Sequence, residues 1–87
     1  ALIISNVDAF DGKTGHSVCA MITSAKNQSW PLDIEINDLK SAGLPAPSVI
    51  RMKLFTIDHQ IIKKKIGTLS SKDTISLKKS LSTLIPV

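Results

Sequence analysis

An 87-residue chain with 43% hydrophobic residues has room for one small domain with a modest core, which excludes a multi-domain enzyme. Its net charge of +4 indicates an anionic partner, either a nucleic acid or an acidic protein segment. No apolar run approaches the roughly 20 residues that cross a bilayer, and the start lacks the features of a secretory signal. We therefore expect a cytoplasmic protein that makes no membrane contact.

The metal-binding and redox residues are few and scattered. Cys19 is the only cysteine and lies in an apolar run, so a buried, unreactive thiol is expected. His16 and His59 are far apart, and the chain has no Cys-x-x-Cys spacing and no glycine-rich phosphate loop. We expect neither a metal site nor a cofactor.

The first half of the chain predicts three strands, at residues 1–5, 16–22 and 32–36. The third strand alternates between apolar and acidic residues, which places Asp33 and Glu35 outward. Residues 6–15 between the first two strands contain D-G and T-G turn signals, with Phe10 as the apolar anchor of the loop.

The second half predicts a helical turn, two strands and a final helix, at residues 39–42, 48–56, 64–69 and the segment after Ser70. Asp38 and Gly43 are cap residues for the helical turn, and Leu77, Leu81 and Leu84 recur at helical spacing. The pattern is that of a single α+β domain over residues 1–87, mostly β: a small SH3-like barrel with one C-terminal helix.

The strand at residues 48–56 carries Arg51 and Lys53 two positions apart, so both cations are expected on one face. Residues 51–87 hold eight Lys and Arg residues against two acidic residues, a balance of 8 − 2 = +6. A strand face lined with positive charge suits a phosphate-bearing ligand, although a solvated lysine surface has the same composition.

Thr23 and Ser24 form a hydroxyl pair at the end of the second strand. RNA cleavage without a metal needs a stabilised phosphate charge, which a hydroxyl and a guanidinium can provide. The loop that follows has a cation, an amide and an aromatic ring for single-stranded RNA, at Lys26, Gln28 and Trp30. A plain strand-end turn and a packed tryptophan are the alternatives. The general base stays open among His16, His59, Asp33, Glu35 and Asp58.

The segments A-L-I-I-S-N, A-M-I-T-S, P-S-V-I-R, T-I-D and K-K-I-G-T-L-S, in this order, resemble the PemK/MazF family of toxins. The resemblance implies an SH3-like barrel, a homodimer, and metal-independent endoribonuclease activity on single-stranded mRNA that inhibits growth. It also implies a cognate antitoxin protein, with operator DNA bound only as a complex with that antitoxin. Thr23 and Arg51 match catalytic positions of the family, while Ser24, Lys26, Gln28, Trp30 and Lys53 are the RNA-binding candidates.

Family members usually begin with another strand and a loop whose arginine is a principal catalytic group, and that position would lie before Ala1. The chain is therefore expected to be truncated at its N-terminus relative to the family, with little ribonuclease activity of its own. Two alternatives follow: a catalytically defective member that binds antitoxin or operator DNA, and a CcdB-like inhibitor that grips a protein target. The ending Ile85-Pro86-Val87 differs from the Trp-Gly-Ile end of CcdB-like chains and disfavours the second alternative.

Overall fold

The computed structural model describes residues 1–87 as a curled antiparallel sheet of four strands with a helix at the C-terminal end. The strands are β1 (Leu2–Ile3), β2 (His16–Ser24), β3 (Ile34–Glu35) and β4 (Ser48–Asp58), and the helices are α1 (Gly12–Thr14), α2 (Leu39–Ala42) and α3 (Ser71–Leu84). A π-turn at Val7–Asp11 leads into α1, and a 3₁₀ turn at His59–Ile61 follows β4. The strand order is β1-β2-β4-β3, so the predicted α+β class is confirmed as a half-barrel.

Strands β2 and β4 pair along the whole length of β2 and form the centre of the sheet. The register shifts once: Ala20 lies opposite Leu54, but Met21 lies opposite Arg51, so residues 52–53 bulge from β4. A bulge bends its strand and increases the local twist, which curls the sheet. The bulge also separates Arg51 from Lys53: Arg51 is buried, whereas Lys53 is exposed.

The core lies between one face of the sheet and α3, and its buried members are Ala20, Ile34, Ile36, Ile50 and Leu77. Burying one such aliphatic side chain contributes about 1.5–3 kcal/mol. Leu77 and the partly buried Leu81 supply the packing face of α3, as their helical spacing predicts. The thiol of Cys19 is 1% exposed, and burial raises its pKa, as expected for an unreactive cysteine.

Helix α3 is attached to the strand region by a carboxylate. Asp73 is fully buried, and its two oxygens accept hydrogen bonds from the backbone N–H groups of Asn37 and Asp38, at 3.1–3.2 Å, and from the Asn37 side-chain amide at 3.1 Å. Ser70 caps the helix by accepting from the Asp73 N–H at 3.2 Å, as predicted. Burial alone would raise the pKa of Asp73, but the hydrogen bonds from Asp38 and Asn37 outweigh it and lower the pKa.

Two expectations for this fold are wrong. Residues 64–69 form no strand: the Thr68 N–H donates to the Ser41 carbonyl of α2 at 2.8 Å, so this segment crosses the end of a helix instead of joining the sheet. In the first loop the anchor is Asp11, which is 4% exposed, whereas Phe10 is 36% exposed. Asp11 is held by hydrogen bonds from the hydroxyls of Ser5 and Ser17, which a hydropathy pattern does not reveal.

Candidate functional site

The hydroxyl pair lies at the C-terminal end of β2. Thr23 Oγ1 accepts a hydrogen bond from Asn27 Nδ2 at 2.6 Å, and Ser24 Oγ accepts from the Lys26 backbone N–H at 3.2 Å. Neither hydroxyl proton has an acceptor within the protein, because each oxygen acts only as an acceptor. Both hydroxyls are therefore free to donate to a ligand.

Thr23 shares one sheet face with Arg51. The register places Thr23, Val49 and Glu35 in one cross-strand row, and Met21 opposite Arg51 in the next row on the same side. Diagonal neighbours on adjacent strands lie roughly 7–8 Å apart, so Thr23 and Arg51 flank a common patch. We call this surface, opposite the core and marked by these five residues, the Thr23 face.

Arg51 does not present the unpaired charge that the sequence predicts. Its side chain is 8% exposed, and its Nε and Nη2 donate to the two carboxylate oxygens of Asp33 at 3.2 and 2.9 Å. The hydrogen bond from Arg51 lowers the pKa of Asp33 against the effect of burial, and the pKa of Arg51 is raised in return. Asp33 was expected to face outward into water, and it is instead the counter-ion of Arg51.

One nitrogen of Arg51 remains available. Nη1 makes no hydrogen bond to the protein. Every buried side-chain nitrogen and oxygen in the structure has a hydrogen-bond partner, so Nη1 is accessible to solvent. The catalytic role of Arg51 stays a prediction, and in this geometry it rests on Nη1 alone.

The loop between β2 and β3 covers Arg51. Its backbone contributes the Gln28 carbonyl, which accepts from Arg51 Nη2 at 2.7 Å, and its tryptophan ring lies over the guanidinium, 4.9 Å from the centroid of Trp30 to Cζ. The RNA-binding candidates Lys26 and Gln28 are exposed, Trp30 is 45% exposed, and Lys53 is exposed on the bulge. The ring of Trp30 therefore packs against Arg51, as the packed-tryptophan alternative expects, but a large part of its surface stays exposed.

The structure divides the five general-base candidates into two groups. His16, Asp58 and His59 lie at the far end of β2 and β4, about 20 Å along the strand from Thr23 at 3.3 Å per residue. There Ser17 Oγ is 2.9 Å from both Asp11 Oδ2 and His59 Nε2, a network at the opposite end of β2 from the hydroxyl pair. These three residues cannot serve a reaction at Thr23.

Of the two remaining candidates, Asp33 is engaged by Arg51, and only Glu35 is exposed and without an ion-pair partner on the Thr23 face. The sequence argument missed the pairing of Asp33 with Arg51. The sequence feature that could have indicated this pairing is the alternation of apolar and acidic residues over 32–36. Once β3 is paired with β4, that alternation places Asp33 opposite Arg51. No group of three or more His, Cys, Asp and Glu side chains is arranged to hold a metal ion, and no helix has the length and apolar character needed to cross a membrane.

The fold and sequence both have known relatives. A family model described as the PemK-like, MazF-like toxin of type II toxin-antitoxin systems matches residues 1–85. Among solved structures, the Mycobacterium tuberculosis toxin MazF-mt6 superimposes with a TM-score of 0.79 at 18% identity, covering 99% of this chain and 84% of that one. A second toxin structure, from Mtb, gives a TM-score of 0.77 at 19% identity, with coverage of 94% and 87%.

A search of curated protein sequences finds no match to the chain. At these identities the two solved toxins establish the shared fold, whereas the family assignment rests on the sequence model, which spans nearly the whole chain. The predicted family is confirmed: this chain belongs to the PemK-like, MazF-like toxins of type II toxin-antitoxin systems.

Proposed function

We propose that this toxin is an endoribonuclease that cleaves single-stranded RNA on the Thr23 face. The observation that carries the proposal is the Thr23 hydroxyl, whose proton has no acceptor in the protein and which shares a face with Arg51. Ser24 is the next residue on the strand and lies on the opposite face, beside Ser48. Two donors on one face, the Thr23 hydroxyl and the Arg51 guanidinium, suit the oxygens of a phosphodiester, where negative charge grows during cleavage.

The reaction would use the 2′-hydroxyl of the RNA as its nucleophile. The bond from the 2′-oxygen to phosphorus forms while the bond from phosphorus to the 5′-oxygen breaks. Thr23 and Arg51 donate to the phosphoryl oxygens, Glu35 accepts the 2′-hydroxyl proton, and water at this open face protonates the leaving oxygen. Glu35 is assigned as the base because it lies on this face without an ion-pair partner. The mechanism uses no metal ion.

Contacts to the rest of the RNA come from the loop and the bulge. Lys26 and Lys53 supply exposed charges for backbone phosphates, the Gln28 side-chain amide is free for a base edge, and Trp30 offers a ring for stacking. Single strands are favoured over duplexes because stacking on a protein ring requires a base that has left its neighbours.

A cleavage assay on a fluorogenic random-sequence RNA with excess chelator tests the proposal. Thr23→Ala should slow cleavage roughly 100-fold, the scale for losing one donor to a developing oxyanion, whereas Thr23→Ser keeps the hydroxyl and most of the rate. Glu35→Gln should slow cleavage with little change in RNA affinity. No detectable cleavage by the wild-type chain would refute the proposal for this chain and leave a toxin that binds without cutting, in line with the low activity expected from the sequence. Equal rates for all variants would remove Thr23 and Glu35 from the site, and a need for added metal would refute the mechanism.

The type II family implies a protein antitoxin as partner, and we propose an acidic, extended antitoxin segment because Lys63, Lys64 and Lys65 are exposed. Operator DNA would be bound only by the toxin together with its antitoxin.

We also propose a homodimer. Leu77 and Leu81 are used by the core and cannot form its interface, whereas Ile3 and Phe55, at 48% and 41% exposure, flank Cys19 in one row of the sheet and suit a second copy.

A further inference from the structure

Arg51 has a set of partners that a phosphate-binding arginine does not need. Two of its nitrogens bind the two oxygens of Asp33, and Nη2 also donates to the Gln28 carbonyl. The flat guanidinium then lies against the Trp30 ring at 4.9 Å. The planar shape of arginine permits a bidentate ion pair and a ring stack at once, which lysine cannot reproduce.

Asp33 contacts the same tryptophan through its backbone. Its Oδ2 accepts from the Trp30 backbone N–H at 2.9 Å, and its own N–H donates to the Trp30 carbonyl at 3.2 Å, which closes a turn over residues 30–33. Trp30 is therefore fixed twice, at its backbone by Asp33 and at its ring by Arg51. Both contacts depend on one ion pair, whose members are 8% and 11% exposed.

The turn itself is strained. Leu32 has a φ of 68°, in the left-handed region that residues with a branched side chain seldom occupy. Pro31 restricts the residue before it, and the Leu32 carbonyl accepts from Ser80 Oγ of α3 at 3.2 Å. A conformation of this kind persists only where its surroundings determine it, and such positions concentrate at functional sites.

Despite this fixation, Trp30 is 45% exposed, so the contacts do not bury the ring in a core. With a cation against one ring face, the exposed area is left for a ligand with a flat apolar surface. We propose that Asp33 and Arg51 are positioning residues that hold the Trp30 ring ready to stack an unpaired nucleobase. This inference rests on the proposed RNA-cleaving function and names how its substrate is held.

Pre-organisation is the physical advantage. Fixing a side chain during binding costs conformational entropy, and a ring already held in place avoids that cost. The Arg51 guanidinium therefore acts through Trp30, in addition to any contact that Nη1 makes with the phosphate.

The test uses the fact that Trp30 is the only tryptophan and the chain has no tyrosine, so protein fluorescence reports this ring alone. Asp33→Asn and Arg51→Lys are compared with wild type and with Asp58→Asn. The last is a matched control at the far end of β4, where Asp58 faces His16 at 3.9 Å. Circular dichroism establishes that each variant is folded, and acrylamide quenching measures the accessibility of Trp30 in the free protein.

We expect acrylamide to quench Trp30 fluorescence more strongly in Asp33→Asn and Arg51→Lys than in wild type. Quenching in Asp58→Asn should equal that of wild type. Affinity is then measured by the anisotropy of a short fluorescein-labelled single-stranded 2′-O-methyl RNA of random sequence, which cannot be cleaved for lack of a free 2′-hydroxyl. Both variants should bind about tenfold more weakly than wild type, within the range measured for losing one base stack. Trp30→Phe should retain most of the affinity and Trp30→Leu should lose it, and RNA should quench Trp30 in the wild type.

The two measurements separate the positioning role from the proposed function. Unchanged acrylamide quenching in both folded variants would overturn the positioning role, whether or not RNA binds. Altered quenching in a protein that binds no RNA would refute the nucleobase platform together with the proposed function. If RNA binds without quenching Trp30, or if Trp30→Leu binds as well as wild type, the nucleobase platform is refuted while RNA cleavage stands. If Asp33→Asn fails to fold, Arg51→Lys and the two Trp30 variants decide the outcome.

Discussion

Replacing Asp73 with asparagine should strongly destabilise this toxin. The carboxylate is fully buried and accepts hydrogen bonds from the backbone N–H groups of Asn37 and Asp38 and from the Asn37 side chain. It thereby joins α3 to the segment directly after β3. Strand β3 and the residue before it supply Glu35 and Asp33 to the Thr23 face. Asparagine has the same shape as aspartate, but its side-chain NH2 group replaces one acceptor oxygen. That N–H donor would face the N–H groups of Asn37 and Asp38, with which it cannot form a hydrogen bond.

The magnitude follows from the hydrogen bonds. Bonds to a charged acceptor contribute about 1.5–3 kcal/mol each, and leaving a buried donor unsatisfied costs about 1–3 kcal/mol. Asparagine retains one acceptor oxygen, so we expect a loss of about 2–4 kcal/mol in the free energy of unfolding. This is a large share of the roughly 5–15 kcal/mol that stabilises a typical domain. Asp38→Asn is the matched control: Asp38 accepts from the Ser41 N–H as an exposed cap, where asparagine serves nearly as well.

The loss should also depend on pH. The folded-state pKa of Asp73 is lowered relative to the unfolded chain, where an aspartate has a pKa of about 3.9. The group therefore contributes its stability above that pH, and the contribution disappears as the pH falls through the folded-state pKa. The difference between wild type and Asp73→Asn should be constant from neutral pH down to about 5 and should narrow below about 4.

Urea unfolding followed by circular dichroism at several pH values measures this difference. With a slope of about 1 kcal/mol per molar for a small domain, the expected loss lowers the urea midpoint by roughly 2 M or more at neutral pH. Equal midpoints for wild type and Asp73→Asn, or a difference that persists undiminished at acid pH, would refute the reasoning.

Three further predictions concern the Arg51 ion pair, two glycines and the partner surfaces. Arg51→Ala should lower the urea midpoint more than Thr23→Ala does, because it leaves the Asp33 carboxylate largely buried without its partner; an unchanged midpoint would contradict the ion pair. Gly43→Ala should strongly destabilise the fold, since a Cβ would lie 2.0 Å from the Ile66 carbonyl oxygen, whereas Gly15→Ala, with a similar φ of 71° and no atom within 4 Å, should cost only about 1 kcal/mol. An acidic antitoxin peptide should bind more weakly as salt rises, because the electrostatic screening length falls from about 10 Å at 0.1 M to about 3 Å at 1 M. Sedimentation should show a dimer that persists in high salt, because its proposed interface is apolar. Salt-insensitive peptide binding would contradict the proposed antitoxin surface, and a monomeric chain would contradict the proposed dimer surface.

Much of the candidate site could be located from local patterns. The hydroxyl pair ends an apolar run, and Arg51 lies inside another, so strand placement follows from residue types alone. What the patterns lacked was the register. Asp33 is 18 positions before Arg51, and their pairing requires β3 to lie beside β4 with Ile34 opposite Ile50. No spacing rule within one strand contains that information.

The sequence alone determined the family, the α+β class, four of the strands, the capped helix α3 and the buried thiol, because these depend on alternation, caps and segment order within a short range. Only the tertiary structure decided which charges are free. Arg51 is paired, Glu35 and Lys53 are exposed, and the two histidines lie at the far end of the sheet from Thr23. The physical reason is that the state of a charged group depends on what surrounds it after distant segments pack, and that arrangement is set by sheet register and by loops folding back.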